Sequence, residues 1–549
     1  MPTVILNKKQ FEELAGKKLP LEELKDRISM LGTDLEKIEG NEIIVEVFPN
    51  RPDMLSEQGF ARAFSSFIGV KKGLRKYSVK KSNYVVEIDK SVKSVRPETA
   101  CAVVKNLKLD DEKIKSIIQI QEKLHIGYGR NRKKVAIGVY PLEKIKFPIK
   151  YLAKRPEEIK FKPLEMTQVL NGKEILELHP TGRDYRHLLE NEKVYPIFID
   201  ANDNILSMPP IINSDDIGKV TEDTKEVFIE CSGFDYKTLS KCLNIIVTVL
   251  ADINGEIYSV EIKDSKIKTS PDLNPKEEKL DIKYVNKMLG LELKENEIKN
   301  LLEKMGYDYN NGKVLVPCYR ADILHQIDLV EDIAIAYGYE NFIEEIPNVS
   351  TIGKESEKSK FNKKISEILI GLGLLECSSV SLSNEDILGR KMMFFKLNEL
   401  IKVESPVNQD YNTLRNRILP NLLKILSENK RYEYPQNIFE IGKVFDDVKD
   451  KDSLGIIITG NFTLIKQKLD VLFSLLNFRY EVKEPDEDQG LHGCFIIGRS
   501  GDIIVNGKKL GMIGEISSFV LDNFGIEVPC SGLELDVNEL FNILKDIKA

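Results

Sequence analysis

Hydrophobic and polar positions alternate with period two over Glu42–Phe48, which predicts a strand, and a helix is predicted to follow Pro52–Asp53. From about residue 85 to 265 short apolar runs dominate. Strands are predicted at Tyr84–Ile88, Ala102–Val104, Lys134–Val139, Val194–Ile199 and Val227–Glu230, with helices between them. The turn-rich stretch Ser270-Pro-Asp-Leu-Asn-Pro275 ends this region. Helices are then predicted at Asp281–Leu289 and Lys294–Met305, a strand at Lys313–Pro317, and a helix starting at Asp328. Polar residues near 351–360 read as a linker. Beyond them Phe361, Ile365, Ile368, Leu369 and Leu372 fall on one helical face, and a second amphipathic helix is predicted over Thr413–Asn429. Strands are predicted at Asn437–Phe445, Leu454–Thr459, Gly493–Gly498 and Ile503–Val505. No internal repeat interrupts the pattern.

These breaks predict a multidomain α+β chain. Residues 1–84 form an N-terminal α/β module, with the basic stretch Lys71–Lys81 as its boundary, and 85–268 a β-rich domain. Residues 269–348 form a helical module whose two short helices and wing-like strand suggest a winged helix-turn-helix. Residues 349–549 form a mixed α+β domain.

Composition narrows the function classes. Eighty basic residues face eighty-seven acidic ones, and the net charge of −7 argues against coating nucleic acid by overall charge. Any RNA contact must use local patches, of which Lys71–Lys81 and the run Arg130, Arg132, Lys133, Lys134 are candidates; a solvated surface is the alternative for each. The seven cysteines form no C-x-x-C pair, which excludes a zinc ribbon and suits a reducing compartment. The N-terminus lacks a signal peptide's apolar stretch, and the longest apolar run, near Leu243–Ile253, is about half a membrane span. A cytoplasmic location is expected.

The segment from Arg320 to Asp332 carries the densest candidate chemistry. With a helix starting at Asp328, the carboxylates of Asp328, Glu331 and Asp332 share one face, and Asp322 on the incoming loop is near enough to close over it. Two readings stand. A hard divalent cation would offset the repulsion among these acids. Alternatively, Asp328 and Glu331 form a capping box at the positive end of the helix, which leaves Asp322 and Asp332 unexplained. His325 is a poor ligand for a hard cation and is expected to pack or to face water.

The run PCYRADILHQIDLVEDIAIAYGYENF resembles the magnesium segment of the phenylalanyl-tRNA synthetase β-subunit family, in its archaeal and eukaryotic form. The resemblance extends to Phe48-Pro-Asn-Arg-Pro-Asp-Met-Leu55 with Gly59-Phe-Ala-Arg62. It includes Ala153–Pro163 and Leu206–Ser214, which are similar to the family's editing module, and Leu414–Leu423 and Asn437–Phe445, which are similar to its synthetase-like domain. It implies Mg²⁺ on Asp322, Asp328, Glu331 and Asp332, with Asp332 standing where bacterial relatives often carry Glu. It implies a catalytic α partner in an (αβ)₂ heterotetramer, tRNA(Phe) as substrate, and ATP consumed by the complex. It implies that 85–268 is an editing domain and 349–549 a class II synthetase-like antiparallel-sheet domain. That last domain lacks the catalytic motifs: Phe439-Glu440-Ile441 and Gly511–Ile516 stand where motifs two and three would be, each without its arginine. No residue of this chain is therefore assigned to aminoacylation itself. The apolar faces of the 361–375 and 414–426 helices are candidates for the α interface, with ordinary core as the equal alternative.

The resemblance further implies hydrolysis of mischarged Tyr-tRNA(Phe) on this chain. Tyrosine adds one hydroxyl to phenylalanine, and an apolar pocket rejects such an isostere by only about a hundredfold. Candidate editing residues are His125, Asn213, Ser214, Glu230 and Asp235. Asp235 or Ser214 would read the tyrosine hydroxyl, and His125, beside the basic Gly129–Lys134, would orient the ester or a water near the tRNA 3′ end. The family often has Thr-Gly-Thr-Asp where this chain has Ser232-Gly-Phe-Asp235, so Phe234 is a departure at the pocket. A free-standing editing hydrolase and a non-enzymatic tRNA-binding scaffold are the competing readings.

Overall fold

The computed structural model describes residues 2–264, 267–394, 400–446, 449–485 and 493–548. They form two compact units, Met1–Ile346 and Pro347–Ala549.

The first unit opens with a three-stranded antiparallel sheet whose central strand, Glu42–Glu46, lies between Thr3–Asn7 and Asp34–Glu39. Period-two alternation buries Ile43 and Val45 against helix α1 (Glu57–Phe67), which Ser56 caps by accepting from Gly59 N–H. The stretch Lys71–Lys81 is a packed connection rather than a free boundary. Gly73 N–H donates to Glu303 O at 2.7 Å and Leu74 N–H to Asp308 Oδ1 at 3.0 Å, which ties the stretch to the helical module.

The stretch runs into a ten-stranded mixed sheet of β1 (Val79–Ile88), β2 (Glu98–Lys105), β3 (Val135–Pro141), β4 (Ile149–Lys154), β5 (Tyr195–Ile199), β6 (Ile205–Met208), β7 (Ile212–Asn213), β8 (Val227–Gly233), β9 (Glu256–Lys263) and β10 (Ile267–Ser270). Their order is β7-β6-β5-β4-β1-β9-β2-β8-β3, with β10 on β9. Strands β3 and β8 are buried along their whole length, as near-continuous apolar runs require. One face is covered by α2 (Asp111–Ile126) and by α3 (Tyr236–Asp252), the longest apolar stretch of the chain. No helix among the described residues is long and apolar enough to cross a membrane.

The helical module packs α4 (Ile282–Leu289), α5 (Glu295–Lys304) and α6 (Gln326–Tyr337) beside a three-stranded sheet of Lys276–Lys279, Lys313–Val316 and Asp308–Asn310. Its core is continuous with that of the two preceding modules. Helix α6 starts two residues before the expected Asp328, because His325 caps it: His325 Nδ1 accepts from Ile327 N–H at 3.2 Å. The capping box is therefore His325 with Asp328, not Asp328 with Glu331.

The second unit is a seven-stranded sheet of β11 (Leu375–Glu376), β12 (Asn437–Asp446), β13 (Lys449–Thr459), β14 (Glu481–Lys483), β15 (Phe495–Val505), β16 (Lys508–Ile516) and β17 (Cys530–Asp536). Its order is β11-β12-β13-β17-β16-β15-β14, antiparallel except for the first pair. The two strands expected at 493–498 and 503–505 are one strand, β15, with a register shift between Phe495 and Ser500. Helix α7 (Glu357–Gly371) buries Phe361, Ile365 and Leu369 in the unit's own core, and α8 (Leu419–Glu428) buries Leu419, Leu422, Leu423 and Leu426. Those faces are thus core rather than free interface. Helix α8 is shorter than expected because Thr413–Leu414 pairs as a strand with Leu382–Ser383.

Candidate functional site

A small pocket of about 100 Å³ lies where α2, β3, β8 and the β6–β7 connection meet. A cavity of about 150 Å³ takes a benzene ring, so this pocket, as it stands, is smaller than one aromatic ring needs. Its polar end is lined by Glu230, Ser207 and Asn213, and the Tyr140 hydroxyl is the group that links all three. The Tyr140 hydroxyl is 2.8 Å from Ser207 Oγ, 3.1 Å from Glu230 Oε1 and 3.4 Å from Asn213 Oδ1. Glu230 Oε2 is buried without a hydrogen-bond partner. Burial pushes the Glu230 carboxyl up to about 8, against the opposing bond from Tyr140 and the charge of Arg96. Near neutral pH it is chiefly a neutral acid, able to donate as well as accept. Burial and the neighbouring Glu230 raise Tyr140 far above its ordinary range, so it remains a neutral phenol.

The wall of the pocket is set by Arg132. Its guanidinium donates to Ile211 O at 2.7 Å and to Glu122 Oε1 at 2.9 Å, and it lies 4.4 Å from the centre of the Tyr185 ring. It thereby pins the Pro209–Pro210 turn to α2.

Three of the expected editing residues line this pocket: His125, Asn213 and Glu230. His125 does not have the chemistry expected of it. Ile137 N–H donates to His125 Nε2 at 2.8 Å, so the proton sits on Nδ1, which donates to Glu122 Oε1 at 3.1 Å. Both ring nitrogens are engaged, and burial lowers the pKa of the imidazole. His125 is a neutral strut between α2 and β3. Asp235 lies outside the pocket as the N-cap of α3, accepting from Thr238 N–H at 2.9 Å and Thr238 Oγ1 at 2.6 Å, bonds that lower its pKa. Ser214 is buried at the start of a short helix, where its N–H donates to Leu206 O and its O accepts from Gly218 N–H, and it does not line the pocket. Sequence reading missed Ser207 and Arg132 as pocket residues, and Tyr140 as the hydroxyl bonded to Ser207, Asn213 and Glu230. Ser207 stands inside the Leu206–Ser214 motif and Arg132 inside the basic run Gly129–Lys134, whereas Tyr140 has no local signal.

The acidic segment is organised differently from either sequence reading. Arg320 is buried and donates through Nε and a terminal nitrogen to the two oxygens of Asp322, at 2.8 and 2.6 Å, and through that terminal nitrogen to Asp332 Oδ2 at 2.7 Å. Tyr307 hydrogen-bonds the same Asp332 oxygen. Asp328 accepts from Leu324 and His325 N–H, both at 2.8 Å, and Glu331 accepts from the Tyr339 hydroxyl at 2.8 Å. Asp322 and Asp332 are thus gathered, and Asp328 and Glu331 are turned to other partners. Among the described residues no three His, Cys, Asp or Glu side chains gather so as to hold a metal ion. As arranged, Asp322, Asp328, Glu331 and Asp332 are not gathered around a common point for Mg²⁺: Arg320 lies between the two inner acids and offsets one of their two charges, and the other two acids face other partners. The Arg51–Asp53 pair of the N-terminal signature, bonded at 2.9 and 2.8 Å, lies within electrostatic range of Arg320 and Asp322, so the two signature segments meet in one buried charge cluster.

In the second unit, Arg415 is fully buried and donates to Glu440 Oε1 and Ser379 Oγ, both at 2.7 Å, and to Lys443 O at 2.8 Å. Glu534 accepts from Ile418 N–H at 2.9 Å and Leu419 N–H at 3.2 Å, which caps α8. These charges are spent inside the fold.

The sequence pattern of the B3/4 domain matches residues 80–244, that of the tRNA synthetase B5 domain residues 278–339, and that of the phenylalanyl tRNA synthetase beta chain CLM domain residues 344–537. The chain is 39% identical to the phenylalanine–tRNA ligase beta subunit of Pyrococcus horikoshii, covering 98% of this chain and 100% of that protein. It is 40% identical to the corresponding subunit of Methanosarcina barkeri, over 98% of this chain and 99% of that one. An N-terminal fragment of the Pyrococcus horikoshii phenylalanyl-tRNA synthetase beta subunit superposes with a TM-score of 0.59 at 41% identity, covering 61% of this chain and 99% of the fragment.

Proposed function

The chain belongs to the phenylalanine–tRNA ligase beta-subunit family, and on that premise we propose that it supports charging of tRNA(Phe) by a catalytic α subunit and itself removes tyrosine misattached to that tRNA. Charging joins phenylalanine to tRNA(Phe) as ATP is cleaved to AMP and diphosphate. Its developing phosphate charge calls for free cationic donors. The interior arginine of the second unit, Arg415, is consumed by Glu440, which supports placing the charging site on the α subunit. An assembly of two α and two β subunits is the expected complex, and its mass by analytical ultracentrifugation checks this.

The observation that carries the editing reading is the unpartnered Glu230 Oε2 at the polar end of a small pocket. A tyrosyl hydroxyl there accepts from, or donates to, the protonated carboxyl and satisfies it. A phenylalanyl ring leaves a buried polar group unpaired, at about 1–3 kcal/mol. The pocket discriminates by the same asymmetry that lets a hydrogen-bonding site reject an analogue lacking the hydroxyl. Water then attacks the ester carbonyl, releasing tyrosine and free tRNA. The pocket's part is to hold and orient the aminoacyl group, since His125 has no free nitrogen to act as base. Hydrolysis of Tyr-tRNA(Phe) by the α–β complex carrying Glu230→Gln or Glu230→Ala tests this reading. Glu230→Ala is expected to lose most deacylation and retain charging with phenylalanine, whereas Glu230→Gln, which keeps a neutral donor and acceptor at that place, is expected to retain more of it; full deacylation by Glu230→Ala would overturn the reading.

A further inference from the structure

The loop joining α2 to β3 has an unusual backbone. Arg130, Asn131 and Arg132 are three successive residues in the left-handed region, with φ of 48°, 52° and 62°. A side-chain-bearing residue pays about 1–2 kcal/mol there, and such strain persists only where the surroundings over-determine it. Here the surroundings do. Gly129, Asn131 and Arg132 N–H donate to the carbonyls of Leu124, Ile126 and His125, so the turn folds back on the C-terminus of α2, and Lys134 N–H closes it onto Gly129 O. Arg132 points inward as the clasp of the pocket wall.

The remaining cations of the turn point outward. Arg130, Lys133 and Lys134 are exposed, and among the described residues none of them is paired with a carboxylate. Three like charges held on a stiff turn repel one another, and no packing role accounts for them. Beside them lies Phe234, 57% exposed, one residue beyond the Gly233–Val135 pair of β8 and β3. Its backbone approach to Lys134 is tight: a Cβ at Gly233 would stand 2.2 Å from Lys134 O. The buried Arg96 guanidinium supports the ring of Phe234 at 5.6 Å from its centre. Unpaired cations beside an open aromatic face are the two parts of a single-strand nucleic-acid platform, in which phosphates meet the charges and a base stacks on the ring.

We propose that this turn and Phe234 form the docking platform for the single-stranded 3′ end of the aminoacylated tRNA, with backbone phosphates on Arg130, Lys133 and Lys134 and one base against Phe234. The inference rests on the editing reading of the adjoining pocket, because it delivers the ester to that pocket. The strained turn makes one rigid piece of the phosphate-binding cations and the wall-setting Arg132. Binding of the 3′ end and the shape of the pocket are thereby mechanically joined.

The test uses the α–β complex with Arg130→Gln, Lys133→Gln and Lys134→Gln combined, and separately Phe234→Ala. Deacylation of Tyr-tRNA(Phe) is expected to show KM raised about tenfold or more in each, with kcat retained. In the triple variant the slope of log(kcat/KM) against log salt should fall by about two, because each phosphate no longer neutralised removes about 0.7. Hydrolysis of a tyrosyl ester of adenosine, which lacks the phosphates, should be unchanged in the triple variant. If KM and the salt slope stay at wild-type values while Glu230→Ala still abolishes deacylation, the platform is wrong and the pocket reading stands. If the wild-type complex does not deacylate Tyr-tRNA(Phe), the pocket reading falls. The platform is then judged by affinity for a short single-stranded RNA carrying the tRNA's terminal nucleotides: unchanged affinity in the triple variant overturns it, and a loss of about tenfold supports it.

Discussion

Gly138 on β3 faces Glu230 on β8, and the absence of a side chain at Gly138 makes room for the polar end of the pocket. A Cβ there would stand 2.0 Å from the Tyr140 hydroxyl and 2.6 Å from Glu230 Oε1. Gly138→Ala should therefore displace Glu230, the group proposed to read the tyrosine hydroxyl. Overpacking of this kind costs about 1–3 kcal/mol. The expected result is a fold that survives with a lowered unfolding midpoint, normal phenylalanine charging and strongly reduced Tyr-tRNA(Phe) deacylation. Wild-type deacylation in this variant would show that the polar end is not where the hydroxyl is read.

Glu230 also makes stability depend on pH. Unfolded, it titrates near its ordinary 4.5; folded, burial holds it to about 8. Between these values the folded state binds the extra proton, so stability falls as pH rises, and the loss is complete only above about 8. Glu230→Gln removes this dependence. The unfolding free energy of the variant should gain on that of the wild type from pH 5 to pH 8, by an amount on the order of a few kcal/mol. Parallel curves across that range would place Glu230 in a wetter setting than the fold indicates.

His125 is a strut, so its loss should act on the pocket wall and not on proton transfer. His125→Ala leaves Ile137 N–H buried without an acceptor, at about 1–3 kcal/mol. Deacylation should fall while its pH profile between 5 and 8 keeps the wild-type shape. Disappearance of a titration step near 6–7 in the variant would instead make His125 an acid–base group.

Arg320 is the counter-ion of Asp322 and Asp332. Arg320→Met would strand two acids in a buried cluster, and breaking a buried pair from one side costs about 3–5 kcal/mol. Added Mg²⁺ should restore part of the lost midpoint in the variant by taking the place of the guanidinium. The wild-type midpoint should be insensitive to EDTA. A wild-type midpoint lowered by EDTA and restored by Mg²⁺ would show that the cation contributes at Asp322, Asp328, Glu331 and Asp332 despite the arginine.

Much of the organisation is legible in the chain itself. The strand at Val227–Gly233 follows from an apolar run with β-branched residues, and α6 from the spacing of Leu329, Ile333 and Ala336, because these are local periodicities. Local motifs also located Asn213, Glu230 and the basic turn. What the tertiary structure alone decided is which partner each polar group takes. Asp328 and Asp332 carry similar side chains four residues apart, yet one caps its own helix and the other pairs with Arg320. His125 reads as a candidate base until Ile137 N–H, twelve residues on, occupies its second nitrogen. Tyr140 gains its role from Ser207 and Glu230, sixty-seven and ninety residues away. Local pattern fixes which face of an element is buried. The partner of a buried charge or hydroxyl depends on what long-range folding brings within three ångströms, and no local period encodes that.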